Sequence, residues 1–273
     1  MLARNYAGST QLLYAKILRK FLGFIAAQSV VVVDSRVVRS FLAQHRADGG
    51  SARSLYQLRG ALRSFYRFLI LGGIAHASPA QHIPVPKITR RLPRVPSPSE
   101  IELLLAAAVE LRDRAILELF YASGLRLSEL AKLRIEQMDL DALTLMVRGG
   151  KGNKDGLAFL NEKCASTLRA YIGGRSRGPL FRDPRGQPLS TVSIYQIVRR
   201  TARRAGLEDV GPHSLRHAFA THLLNHGADI RYVQEFLRHK KISTTQIYAH
   251  SAIEDLVKMH AQFHPHGGSN EKE

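Results

Sequence analysis

Leu55, Leu58, Leu62, Phe65 and Leu69 recur at alternating three- and four-residue steps, the repeat of one helix face, and predict a helix over residues 51–70. A similar repeat predicts a helix over 10–24. The apolar run at 29–33 stops at Asp34, far short of the ~20 residues needed to cross a bilayer. Further on, Ser99 followed by Glu100 and Glu102 offers an N-cap and an acidic first turn for a helix through Leu105, and residues 113–121 and 127–133 also read as helix. The period then changes. Leu143, Leu145 and Val147 alternate with Thr144 and Met146, residues 149–156 are turn-rich, and 157–160 return as a second strand, which predicts a β-hairpin with Lys151 and Lys154 near its tip. Helical patterning resumes over 191–205 and from Gly211 to residue 225 or 226, where Gly227 supplies a stop. A last stripe of Ile253, Leu256, Val257, His260 and Phe263 predicts a helix over 252–263, expected to dock on a neighbouring subunit. The fold class is mainly α with a small β-hairpin or sheet.

Charge changes the picture next. Hydrophobic residues make up 45% of the 273 and charged residues 23%, enough for packed cores in two modest domains. The formal charge is +18, and residues 1–96 hold 15 Lys/Arg against 2 Asp/Glu, a net of +13 that leaves +5 for the rest. Such a concentrated excess suits a polyanion, because neutralised phosphates release condensed counterions. A membrane surface fits less well, since no basic helix carries a sustained apolar face for anchoring. On the predicted 51–70 helix, Arg53, Arg59, Arg63 and Arg67 interleave with Tyr56 and Tyr66, a surface for a phosphate backbone or simply a solvated face. Six prolines between 79 and 98 predict an extended linker, made basic by Lys87, Arg90, Arg91 and Arg94. Gln196, Arg199, Arg200 and Arg203 fall at one-turn spacings on the 191–205 helix, a face able to lie in a major groove. The single cysteine, Cys164, excludes an internal disulfide, and no His/Cys spacing suggests a metal, so a cytoplasmic protein without metal is expected. The N-terminus shows no signal-peptide pattern.

His213 and Arg216 stand one turn apart in Gly211-Pro212-His213-Ser214-Leu215-Arg216-His217, at a helix start where backbone N–H groups and the dipole favour an anion. They have company. Upstream stands Ala122-Ser123-Gly124-Leu125-Arg126-Leu127-Ser128-Glu129-Leu130; Gly150-Lys151-Gly152-Asn153-Lys154 follows at the hairpin; and Leu237-Arg238-His239-Lys240-Lys241-Ile242-Ser243-Thr244-Thr245-Gln246-Ile247-Tyr248 comes last. In this order and spacing, over about residues 97–251, the chain resembles the tyrosine recombinase (phage-integrase) family, most closely its Xer-like branch.

That resemblance implies a two-domain DNA clamp, with a helical core-binding (SAM-like) domain over 1–83, a basic linker over 84–98 and a catalytic domain over 99–273. It implies Tyr248 as the nucleophile, Arg126 and Arg216 on the scissile phosphate, His213 and His239 on the same phosphate or the tyrosine proton, Lys151 as general acid, Lys154 beside it on DNA, and Glu129 holding Arg126. No cofactor is implied. The partners it implies are double-stranded DNA with paired half-sites and the same or related subunits in a synaptic tetramer. Arg238 stands where the family usually has Gly, and Gly156 where it often has Arg. His217 and His222 match no catalytic position and are expected to be core or structural. A DNA-binding accessory protein that keeps the fold and a type IB topoisomerase remain as alternatives.

Overall fold

The computed structural model describes residues 6, 8–26, 28–86, 94–148, 155–237 and 250–267. The chain divides into two compact units, Met1–Arg91 and Leu92–Glu273.

In the first unit, α1 (Gly8–Ile25), α2 (Ser35–Ala47) and α3 (Ala52–Leu71) pack around Phe21, Val38, Phe41, Leu58, Leu62 and Leu69. Side chains start two of these helices. The Asp34 carboxylate accepts from the amides of Arg36 and Val37, and those bonds hold its pKa below the usual range; the Ser51 hydroxyl accepts from Ser54 N. The predicted apolar face of α3 is the buried one, with Leu62 fully enclosed. Tyr66 departs from its predicted place on the basic face. It is buried and its hydroxyl donates to Val30 O at 3.0 Å, which pins the 29–33 run; burial pushes its phenol up to about 12. Residues Ala80 and Ile83, inside the predicted extended stretch, also pack into this core.

The second unit is built on α5 (Leu111–Ser123), in which every residue from Ala115 to Ser123 is buried. Around it pack α4 (Pro98–Ala106), α7 (Glu162–Ile172), α8 (Thr191–Arg204) and α9 (Pro212–Asn225). The cap of α4 is Ser97 instead of Ser99. Pro98 then occupies the first helical position, where its missing N–H costs nothing, and Glu100 reaches back to Ser97 N to close a capping box. A three-stranded antiparallel sheet in the order β1 (Met138–Asp139), β2 (Thr144–Val147), β3 (Gly156–Phe159) pairs Thr144 with Phe159 and Val147 with Gly156. The hairpin was legible; β1 was not, because two residues carry no alternation. The short helices α6 (Leu127–Leu130) and α10 (Ile230–Phe236) precede the last, α11 (His250–Phe263).

The tail helix corrects an expectation. Its stripe packs on its own unit: Leu256 and His260 are buried, and Ile253, Val257 and Phe263 lie against Phe159, Phe219, Leu223 and Phe236. The apolar stripe finds its partner in the hydrophobic wall formed by β3, α9 and α10.

Candidate phosphate-binding site

α5 ends at Gly124 in the left-handed region (φ +56°), and a Cβ there would lie 2.4 Å from a ring carbon of Phe219. Both conditions demand glycine. The turn delivers Leu125 into the core and sets Arg126 as the residue that opens α6. Glu129, almost fully buried, accepts from Arg126 N at 2.8 Å and from its guanidinium Nη1 at 2.7 Å, so one carboxylate fixes backbone and side chain together.

α9 supplies the second cation. Gly211 stands at its N-cap position, Pro212 opens it, His213 is exposed in the first turn, and Arg216 follows one turn on, partly buried. The Arg216 guanidinium donates to Gly124 O and, at 2.9 Å, to Leu237 O. It therefore ties together the turn that carries Arg126 and the end of α10, one residue before Arg238 and two before His239 in sequence. Arg126, Glu129 and Arg216 thus meet around Gly124, with His213 on the same helix as Arg216. Lys151, Lys154, Arg238, His239 and Tyr248 lie outside the described residues, as do Lys87, Arg90 and Arg91.

Behind this surface lies a buried polar cluster that the sequence reading missed. His222 accepts from the Tyr121 hydroxyl at 2.8 Å through Nδ1. From the tail, His260 Nε2 donates to Ala122 O at 2.7 Å and His264 Nε2 to Tyr121 O at 3.0 Å. His264 Nδ1 accepts from Asn161 Nδ2 and from His266 N, both at 3.1 Å, which leaves that ring no room for a second proton. Burial holds His260 down at about 4, and burial with the neighbouring His260 holds His264 well below the ordinary histidine value. Burial, then Glu102 and Glu118, pushes the Tyr121 phenol far above the ordinary tyrosine range. Tyr121 and Tyr66 are thereby unsuited to act as nucleophiles near neutral pH. Of the two histidines expected to be core or structural, His222 is buried in this cluster, whereas His217 is exposed.

The other candidate DNA contacts divide. On α3, Arg53, Arg63 and Arg67 are exposed, while Arg59 donates to Ile83 O at 2.9 Å and stacks over Tyr56. On α8, Gln196 and Arg203 are exposed; Arg200 pairs with the buried Asp113 at 2.9 Å, and Arg199 donates to the carbonyls of Glu208 and Val210. Arg94 pairs with Glu100. Among the described residues no group of His, Cys, Asp or Glu could hold a metal ion, and no helix is long and apolar enough to cross a membrane.

Comparison with known proteins gives consistent matches. The model of the phage integrase family covers residues 95–255, and that of the phage integrase N-terminal SAM-like domain covers 1–73. Tyrosine recombinase XerD of Pseudomonas putida is 36% identical over 282 residues, spanning 97% of this chain and 94% of that protein. XerD of Lacticaseibacillus casei is 38% identical over 280 residues, 97% of this chain and 95% of that one. Among solved structures, a lambda integrase tetramer bound to a Holliday junction superposes with a TM-score of 0.73 at 18% identity, covering 89% of this chain and 75% of that one, a likeness of fold.

Proposed function

The chain belongs to the phage integrase family, and from that premise we propose that it is a site-specific tyrosine recombinase. It cleaves and rejoins duplex DNA by transesterification and exchanges strands between two sites through a Holliday junction. In this reading the Tyr248 oxygen attacks the scissile phosphorus, a 3′-phosphotyrosyl bond forms, and the 5′-oxygen leaves with a proton from Lys151. Attack by a 5′-hydroxyl of the other duplex reverses the step. The phosphotyrosyl bond keeps the phosphodiester's energy, so the cycle demands neither ATP nor metal.

Arg126 and Arg216 are assigned to the non-bridging oxygens, where planar, permanently charged guanidinium groups match phosphate geometry. His213 and His239 are assigned to the same phosphate or to the tyrosine proton, with Glu129 as the support of Arg126. The observation that carries the reading is the Arg216 hydrogen-bond pair, which holds the turn before Arg126 and the residue before the Arg238-His239 pair to one helix. The first unit, read as residues 1–83, is the DNA-gripping core-binding domain through Arg53, Arg63 and Arg67, followed by the basic linker 84–98 and the catalytic domain 99–273. The partners are DNA with paired half-sites and like subunits, and the setting is the cytoplasm.

The test is a suicide substrate resolved on a denaturing gel. Tyr248→Phe should bind its site with near-normal affinity and form no covalent complex, since only the attacking oxygen is removed. A protein–DNA adduct at wild-type yield would move the nucleophile to another residue.

A further inference from the structure

We propose that Arg199 is a positioning residue for His213, acting through the loop that leads into α9 and not through DNA. This rests on the reading of His213 as part of the phosphate site. Arg199 lies in the middle of α8, on the face it shares with Gln196, Arg200 and Arg203, yet its surroundings differ from theirs. It is partly buried, and its Nη1 donates both to Glu208 O and, at 3.1 Å, to Val210 O.

Those carbonyls belong to the last turn of chain before His213. The Val210 side chain is fully buried, which anchors the loop from the core side. Gly211 follows in extended conformation and, lacking a side chain, offers the first turn of α9 no cap; a Cβ added there would sit 3.8 Å from Arg199 Cδ, so the arginine stem lies alongside it. The entry to α9 is therefore held on one side by Val210 and on the other by a cation bridging two carbonyls. Charge-assisted donors to two acceptors fix both the distance and the direction of a short loop. His213 is the second residue of the helix that this loop starts, so its ring follows any shift of the loop.

The same arginine read as a phosphate contact makes the opposite forecast. A phosphate contact contributes to affinity and to its salt dependence. A positioning residue leaves both alone and alters the rate, because small misplacements of a reacting group are costly in rate.

The experiment compares Arg199→Met, which keeps the stem and removes the donors, with Arg199→Lys, Arg203→Met and His213→Gln in the full chain. Binding to a duplex site is measured as a function of salt, and single-turnover cleavage of a suicide duplex is followed at saturating protein across pH. Arg199→Met should keep the wild-type Kd and salt slope and lose about 10- to 100-fold in cleavage. Arg199→Lys should recover most of the rate, since an ammonium reaches the same carbonyls.

A weakened Kd with a salt slope reduced by about one would overturn the proposal in favour of a phosphate contact. So would a wild-type rate, or a loss that follows thermal stability alone and is not recovered by lysine. If His213→Gln itself cleaves normally, the assignment of His213 to the phosphate site fails, separately from the bracing of the loop.

Discussion

At its first turn α9 offers an exposed His213 and, one turn on, Arg216; two turns later the same helix buries His222 against Tyr121, where the tail's His264 also packs. The two ends use the same residue type to opposite purposes. Near the N-terminus, exposed His213 and partly buried Arg216 stand where helix amides already favour an anion. In the interior, His222, His260 and His264 serve as neutral hydrogen-bond groups, and burial keeps each pKa below the ordinary histidine value. What separates them is burial: the open end faces solvent, whereas the direct partners of the buried rings are carbonyls, a hydroxyl and amides, with Glu102 and Glu118 acting on Tyr121 beside them.

The largest expected effect bears on the open end. Arg126→Lys or Arg216→Lys should keep the fold and lower cleavage by at least ~100-fold, in line with the ~2.7–4 kcal/mol attached to one preorganised donor. Single-turnover cleavage with a parallel melting curve checks this, and near-normal rates for both variants would erase the distinction between the two ends. The closed end should answer in stability. Leu256→Ala removes a buried side chain that holds the tail helix and should cost about 3 kcal/mol, a fall in Tm of roughly 5–10 °C; an unchanged Tm would mean the tail is not docked in solution.

The smallest effect sharpens the contrast through pH. His260 binds its proton at about 4 when folded and near 6.5 when unfolded, so the unfolded state takes up more protons on acidification. Stability is present in full above pH 6.5 and drains away as the pH falls toward 4, by about 2 kcal/mol at pH 5 from this group alone. Denaturant unfolding at several pH values measures the slope. His260→Gln, which keeps a donor for Ala122 O and cannot titrate in this range, should lessen it by this group's share and leave the part due to His222 and His264.

Much of this is legible in the sequence. The α3 stripe, the hairpin alternation and the helix from Gly211 to Gly227 are periodic patterns bounded by stop signals, and Gly227 indeed takes φ +93°. Arg126, Arg216 and Glu129 are singled out in the sequence by their motif, and the structure shows how their side chains are held. Other features leave no such trace. The stripe of the tail announced a partner but not which one, because an apolar face carries no address. Arg199 and Arg200 shared a spacing with Arg203, and only packing distinguishes a guanidinium already bound to carbonyls or to Asp113 from one facing solvent. Tyr66 was assigned to the basic face from its neighbours in sequence, whereas the 3.6-residue repeat turns it inward beside Leu62 and Leu69.

The end of α5 joins these threads. A helix leaves its last carbonyls without amide partners. Here Tyr121 O and Ala122 O are taken by two histidines of the tail, and Gly124 O, just past the helix, by Arg216. The tail is thus a borrowed extra turn, supplying from the far end of the chain the donors that a longer α5 would have supplied itself. Lifting it off opens two acceptors that water must enter to satisfy, and that water arrives within three residues of the carbonyl that steadies Arg216. Hydration of the interior and alignment of the cationic pocket are in this way settled at one short stretch of backbone, and amide exchange around 123–126 is where a loosened tail would first register.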